Sequence, residues 1–350
     1  MRALIVGLGS IGRRHARNWS ALGFGQLAIC HQYHAPQPEP LGVEAREYHD
    51  LDRALQLERP EIVLVTNPTS LHVSTAQRAV AAGAHVLIEK PLGCSLEGVD
   101  QLFAKARARG KALRVAYNLR FHPGLARMKA LVEQAAIGRV LSARAEVGEY
   151  LPDWHPWEDY RVSYSGRRDL GGGAVLTFSH ELDALCWLLG APRAVTAVAQ
   201  HASSLDIDTE DLAEIILEFE SGVLGSLHAD YLRRPPRRIL ELVGENGVLR
   251  WDYHQHRLEH YTADTGQWRI EQGDPTWTRN QMYVDELRAF VDGVRAHPPQ
   301  SDQDGRQGAA VLAIALAALR AAAQRRTIDL HAEDDRTREW LSSFMSQSRA

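Results

Sequence analysis

The sequence predicts an α/β protein: an N-terminal Rossmann-type doubly wound parallel sheet, then a second α/β domain with an open, mostly antiparallel sheet. Three observations carry that expectation. Short apolar runs alternate with helical stretches over the first 120 residues, a glycine-rich turn joins the first run to the first helix, and beyond residue 190 apolar runs follow one another with turn residues between them. Strands that are apolar on both sides and spaced by helices belong to a parallel sheet covered on both faces. Right-handed crossovers then favour the doubly wound topology.

The elements follow in order. Strands are expected at 2–6 (RALIV), 26–30 (QLAIC), 61–65 (EIVLV), 85–89 (HVLIE) and 112–116 (ALRVA), with helices at 11–22, 50–57, 71–82 and 96–109 between them. A helix over 123–135 precedes "RVLSARAEVGEY", whose alternation suits a strand with one wet face. An aromatic loop and a glycine-led helix over 174–189 come next. Between 194 and 270 the chain reads as successive antiparallel strands, with Asn246-Gly247 as a tight hairpin signal. Helices return at 279–296 and 306–325. This divides the chain into a dinucleotide-binding domain (1–120), a substrate-binding and oligomerisation domain (121–330) and a tail (331–350). "HAPQPEP" (34–40) reads as a surface loop.

Bulk properties narrow the function classes. A formal charge of −4 and the lack of a basic stripe argue against a nucleic-acid partner. No charge-free apolar stretch reaches 18 residues, so no membrane span is expected. Three widely spaced cysteines, Cys30, Cys94 and Cys186, form no CxxC pair, and no signal peptide precedes the first strand; a cytoplasmic location is expected. His254, His256 and His260 lack a completing cysteine or acid, so no metal is expected. The acidic run 206–211 lacks the pattern of a calcium loop and reads as a solvated turn.

Gly7-x-Gly9-x-x-Gly12 lies between the first strand and the first helix. Such glycines allow a tight turn, a close backbone approach to a pyrophosphate, and close helix–strand packing. The helix start at Ser10 and Ile11 then offers free N–H groups to phosphate. The acid expected about 20 residues on, for the ribose 2′-OH of NAD, is missing from the second strand end. His31 and Gln32 stand there instead, and the nearest acid is Glu39. Ser10, Arg13, Arg14 and His31 suit a 2′-phosphate, so both NAD and NADP are admitted.

Lys90 is one of four lysines among 40 basic residues, and it ends an apolar strand directly before Pro91. Strand ends on this side of a doubly wound sheet face the ligand crevice. Lysine there can trade a proton with a substrate oxygen, which arginine cannot do. In "DLGGGAVLTFSHELDALCWLLG" (169–190), Gly171–Gly173 can bring backbone close to a ligand. His180 and Asp183 share a helix face, with Thr177 one turn earlier, and form a candidate proton relay. The aromatic loop contributes Trp154 and Arg161 as candidate sugar-ring and anion contacts.

"GLGSIGRRH", "TNPTSLH" (66–72), "EKP" (89–91), "YNLRFHP" (117–123) and "GGGAVLTFSHELD" (171–183), in this order, resemble the Gfo/Idh/MocA oxidoreductase family. The resemblance implies hydride transfer between NAD or NADP and a secondary alcohol or carbonyl of a sugar, polyol or related ring. It also implies a homodimer or homotetramer built on the second-domain sheet. It assigns Lys90 and His180 as the catalytic lysine and histidine. It places Asn67, Pro68, His72 and Glu89 beside the cofactor, and Asn118 and Arg120 against cofactor or substrate. One departure stands out: Leu176 occupies the place where many members carry an aspartate, leaving Asp183, Thr177, or Lys90 and His180 alone, to complete the relay. The same resemblance admits a non-catalytic NAD(P) sensor and a redox-cycling glycosidase; intact Lys90 and His180 argue for the dehydrogenase.

Overall fold

The computed structural model describes residues 1–31, 40–296 and 303–345. Glu39 and most of the proline loop 34–40, and the end of the tail beyond 345, lie outside the described residues. Two compact units emerge. The first comprises Met1–Tyr117, His155–Gly172 and Tyr283–Leu312; the second comprises Asn118–Trp154, Gly173–Met282 and Ala313–Ala350. This corrects the expected division into consecutive blocks. The chain leaves the first unit near residue 117 but re-enters it twice, because later segments supply packing surface to the first sheet.

The first unit holds a six-stranded parallel sheet: β1 (Arg2–Val6), β2 (Gln26–Cys30), β3 (Arg46–Tyr48), β4 (Ile62–Val65), β5 (His85–Glu89) and β6 (Leu113–Ala116), in the order β3-β2-β1-β4-β5-β6. β3 has no hydrophobic signature and was not expected from sequence; its three residues, Arg-Glu-Tyr, are held at the edge by pairing with Ala28–Cys30. Helices α1 (Ser10–Ala21), α2 (Leu51–Glu58), α3 (His72–Ala81) and α4 (Val99–Ala108) make the crossovers. The sequence of strand neighbours reverses at β1, so the ends of β1 and β4 form the switch point where such sheets take ligands. Trp19 and Ala16 of α1 pack in one core cluster with Ile5, Ile29 and Leu64, and with Leu287, Phe290, Val291 and Val294 from far along the chain.

The second unit holds α5 (Pro123–Glu133) and β7 (Val140–Gly148), then α6 (Ala174–Thr177) and α7 (Ser179–Leu189). β8 (Pro192–Gln200), β9 (Leu212–Phe219), β10 (Leu224–Asp230), β11 (Arg237–Gly244), β12 (Gly247–Asp252), β13 (Arg257–Thr262) and β14 (Gln267–Gln272) follow. α8 (Asn280–Arg295) and α9 (Gln303–Gln324) begin or end in this unit, and β15 (Ile328–Asp329) and α10 (Asp335–Met345) close it. Nine strands line up as β14-β13-β12-β11-β7-β10-β9-β8-β15, antiparallel except for β7 beside β10. Alternation holds through the centre: Ala143, Ala145, Val147, Ile215, Leu217, Leu227 and Leu242 are buried, while Val198, Ile216 and Leu224 face out. The hairpin falls one residue before the expected place, with Glu245 and Asn246 in the turn and Gly247 already paired to Gly244. Gly247 is required by space, since a Cβ there would lie 2.1 Å from Tyr261 O.

The expected helix over 174–189 is broken at Phe178 into α6 and α7. The acidic run is no solvated turn at its C-terminal end. Glu210 accepts the Val175 N–H at the start of α6, and fully buried Asp211 accepts the N–H groups of Ala202 and Ser203 and the Ser203 hydroxyl. Within α9, residues Gly305–Gln324 are long and apolar enough to cross a bilayer, and 67% of their most apolar window is buried inside the protein. A helix apolar all round is what a core position requires.

Candidate active site

The glycine loop is built by three different constraints. Gly7 has φ +103°, a conformation glycine tolerates, and a Cβ there would lie 2.5 Å from Asn67 N. A Cβ on Gly12 would lie 2.1 Å from Gly7 O, so α1 rests directly on the turn. Thr66 locks this approach by donating its hydroxyl to Gly7 O at 2.8 Å. Gly9 differs: its φ of −70° suits any residue, and a Cβ there would meet no protein atom within 4 Å. Packing therefore leaves Gly9 unconstrained, and its bare backbone serves an approach from outside the chain. α1 starts at Ser10 with no side-chain cap, so the amides of its first turn, Ile11 and Gly12 included, point toward the same place. The loop fits a dinucleotide pyrophosphate.

At the end of β2 the structure corrects the role expected of His31. The ring is buried, its Nε2 lies 3.3 Å from Glu47 Oε2, and its backbone is held by Tyr48 O and by the His49 ring. Beside it on the neighbouring edge strand β3 stands Glu47, whose side chain is 54% exposed. Three strand residues without apolar pattern gave no signal by which sequence could find it. Arg14 stacks on the Tyr283 ring, 4.5 Å from its centroid.

After β4, Pro68 leads into a short turn, Thr69–Leu71, and Asn67 donates its amide to Thr75. His72 is buried, with Nδ1 2.8 Å from Pro91 O and Nε2 2.9 Å from Asn67 O. Burial pushes this imidazole below its ordinary pKa, against the two carbonyls that pull it up. Both ring nitrogens lie against backbone carbonyls and the neutral ring donates to one of them, so His72 braces the loop. Its brace ends on the carbonyl of Pro91, one residue beyond Lys90, and the Lys90–Pro91 bond is cis. Glu89 is also buried: one oxygen lies 2.8 Å from His15 Nε2, and the other accepts the Lys90 N–H at 3.3 Å. Lys90 is thus held on both flanks at the open end of β5.

In the second unit, His180 stands one residue into α7 and is 8% exposed. Thr177 accepts a 2.6 Å hydrogen bond from the Tyr231 hydroxyl. Asp183 has a partner that the sequence did not indicate. It receives Arg120 through two bonds, Nε to Oδ2 at 2.8 Å and Nη2 to Oδ1 at 2.5 Å, with Asp183 1% and Arg120 15% exposed by side chain. A buried carboxylate needs such a partner. The pair ties α7 to the turn that carries Arg120. Asn118 is buried at the turn that carries Arg120.

Trp154 packs edge-on against Phe178 and Tyr231, with centroids 5.7 and 5.4 Å away, and therefore serves packing within the second unit. Arg161 forms a bidentate pair with Asp159 on the surface of the first unit. The three glycines Gly171–Gly173 are each crowded by protein: Thr69 Cβ, Tyr164 O and Glu210 Oε1 lie 2.8, 2.3 and 2.3 Å from the respective Cβ positions. They serve close packing, which corrects the reading of a ligand approach. His256 stacks parallel on His122 in an aromatic cluster with Trp251, Tyr253 and Trp277, and burial pushes the His122 imidazole down to about 3.

Comparisons with known proteins agree with this architecture. Residues 1–117 match the family model described as oxidoreductase family, NAD-binding Rossmann fold, and residues 125–250 match the GFO/IDH/MocA C-terminal domain. UDP-N-acetylglucosamine 3-dehydrogenase of Acidithiobacillus ferrooxidans is 29% identical over 90% of this chain and 95% of its own. Myo-inositol 2-dehydrogenase of Thermotoga maritima is 26% identical over 94% and 98%. Among solved structures, GenD2 from gentamicin A biosynthesis, in complex with NAD, superposes with a TM-score of 0.78 at 27% identity, over 95% of this chain and 97% of its own. Levoglucosan dehydrogenase with NADH and L-sorbose superposes at 0.81 and 21% identity over 94% and 98%, which shows the shared fold. With the two family models matched in order over residues 1–117 and 125–250, this protein belongs to the Gfo/Idh/MocA family and is an NAD(P)-dependent oxidoreductase acting on CH–OH groups.

Proposed function

We propose that the protein is a sugar-derivative dehydrogenase that uses Lys90 and His180 on the reacting carbinol. The nicotinamide, when bound, accepts or returns the hydride of the carbinol carbon. Lys90 donates a hydrogen bond to the reacting oxygen, and His180 takes the hydroxyl proton during oxidation and returns it during reduction. Asp183 and Arg120 hold α7 in place, and the buried Tyr231 hydroxyl donates to Thr177 at the end of α6, just before it. The observation that carries the reading is Gly9, bare without any packing reason, on the same sheet edge that holds Lys90 between two braces.

Of the relatives described, the one matched over most of its length at the highest identity acts on a nucleotide sugar, which supports that substrate class here. Glu47, exposed at the β2 end, supports NAD over NADP, because a carboxylate there receives a ribose diol and repels a 2′-phosphate. The outward residues Val198, Ile216 and Leu224 support a homodimer or homotetramer through the second sheet, and the unpaired, widely spaced cysteines support a cytoplasmic location. The test is reduction of NAD or NADP, followed by absorbance, with UDP-N-acetylglucosamine, myo-inositol and levoglucosan. Lys90→Met is expected to lower turnover by about 100-fold or more while leaving NADH binding near that of the wild type. Wild-type turnover in this variant would overturn the assignment of Lys90. NADH binding without turnover on any sugar indicates a sensor, and product without net reduction indicates a glycosidase.

A further inference from the structure

His15 is a polar side chain that the reaction, as read above, does not use, yet it is 1% exposed in the middle of α1. Its Nε2 meets Glu89 Oε1 at 2.8 Å, 74 residues away in sequence. Its other nitrogen, Nδ1, is buried and has no hydrogen-bond partner among the described residues. With Glu89 ionised, the proton therefore belongs on Nε2, donated to the carboxylate. The Tyr283 ring packs edge-on against His15 at 6.2 Å, and Arg14 lies over the other part of the same tyrosine, so the imidazole is clamped in orientation.

We propose that His15 is a positioning residue for Lys90, acting through Glu89 to tie the lysine to the helix whose N-terminus receives the pyrophosphate. Glu89 has two ends: one carboxylate oxygen is held by His15, and the other holds the main-chain N–H of Lys90. A buried carboxylate lacking its donor turns toward solvent or draws water in, because an unpartnered charge there is costly. Without His15, Glu89 releases the Lys90 backbone on that side, while His72 still holds the carbonyl of Pro91 on the other. The lysine ammonium then shifts relative to the nicotinamide, and a displacement of about 1 Å at a reacting group costs about 100-fold in rate. The cofactor's own contacts at Gly9 and the start of α1 are untouched, so its affinity stays.

The inference rests on the reading of Lys90 as the group at the reacting oxygen, and the experiment separates the two. Only four lysines occur in the chain, so reductive methylation with ¹³C-formaldehyde labels four side chains, and Lys90→Arg identifies the signal of Lys90. In the protein without cofactor, His15→Leu is expected to displace the Lys90 signal and leave those of Lys105, Lys111 and Lys129 in place. Turnover is expected to fall by about 10- to 100-fold with the NADH dissociation constant within about threefold of wild type. His15→Gln, whose amide reaches as far as Nε2, is expected to restore both signal and turnover. If His15→Leu does not fold, His15→Asn, polar but too short to reach Glu89, makes the same comparison. An unmoved Lys90 signal, or wild-type turnover in a variant that fails to reach Glu89, overturns the inference. If Lys90→Met keeps its turnover, the reading of Lys90 fails instead, and the methyl signal still decides whether His15 positions that lysine.

Discussion

Gly9 and Gly12 sit three residues apart in one loop, and the structure predicts opposite consequences for the same added methyl group. In Gly12→Ala the new Cβ would stand 2.1 Å from Gly7 O, more than 1 Å inside ordinary contact and against backbone that cannot swing away, and 2.9 Å from Thr66 Oγ1. Helix α1 must lift from β1, an overpacking that costs about 1–3 kcal/mol. For a protein of this size that lowers the melting temperature by about 1–4 °C. In Gly9→Ala the backbone already has φ −70° and the Cβ meets no protein atom, so stability is expected to stay or rise by up to about 1 kcal/mol. The methyl group instead holds a pyrophosphate away from the α1 amides. Losing one charge-assisted hydrogen bond at about 1.5–3 kcal/mol weakens NADH binding by about 10- to 100-fold. Thermal unfolding without cofactor and fluorescence titration with NADH read the two effects separately. Wild-type NADH affinity in Gly9→Ala would refute the argument that this glycine is kept bare for the cofactor, and wild-type stability in Gly12→Ala would refute the packing argument.

Other outcomes follow from the buried charges. Asp183→Ala leaves the Arg120 guanidinium largely buried without its counter-ion and is expected to cost about 3–5 kcal/mol in urea unfolding. The double replacement Arg120→Met with Asp183→Leu is expected to recover most of that loss. His228, between Glu214 and Asp230 on the second sheet, has its pKa raised to about 9, chiefly by its hydrogen bond to Asp230. The folded pKa exceeds the unfolded one, so this contribution is complete below about pH 6.5 and is lost as pH rises through about 9. His228→Gln is expected to flatten the fall in stability across that window; an unchanged slope would assign the fall to other groups. Tyr231→Phe removes the 2.6 Å bond to Thr177 and is expected to cost about 1 kcal/mol of stability.

Much of the first sheet was legible because its strands are short, wholly apolar runs between amphipathic helices. β3 was not, since its three polar residues are strand only by virtue of pairing with β2. Helix α8 was legible as a helix, but not as a wall of the first core, because Leu287 and Phe290 show a buried face without saying what they face. At the site, Lys90 and Gly9 stood out by position, whereas Glu47 and the His15–Glu89 pair did not. No periodicity links residues 16 or 74 apart, and only folding brings them within hydrogen-bond distance.

The sequence by itself determined the doubly wound sheet, the glycine loop, the lysine at a strand end and the histidine on a helix. Each is a local property, written in spacing, turn chemistry or residue type. The tertiary structure alone decided how these side chains are partnered. It paired Asp183 with Arg120, turned His72 into a brace, and brought Glu47 of the neighbouring strand beside His31. Partner choice among buried polar groups depends on which of them end up within about 3 Å, and that is a property of the packed chain, not of any segment of it.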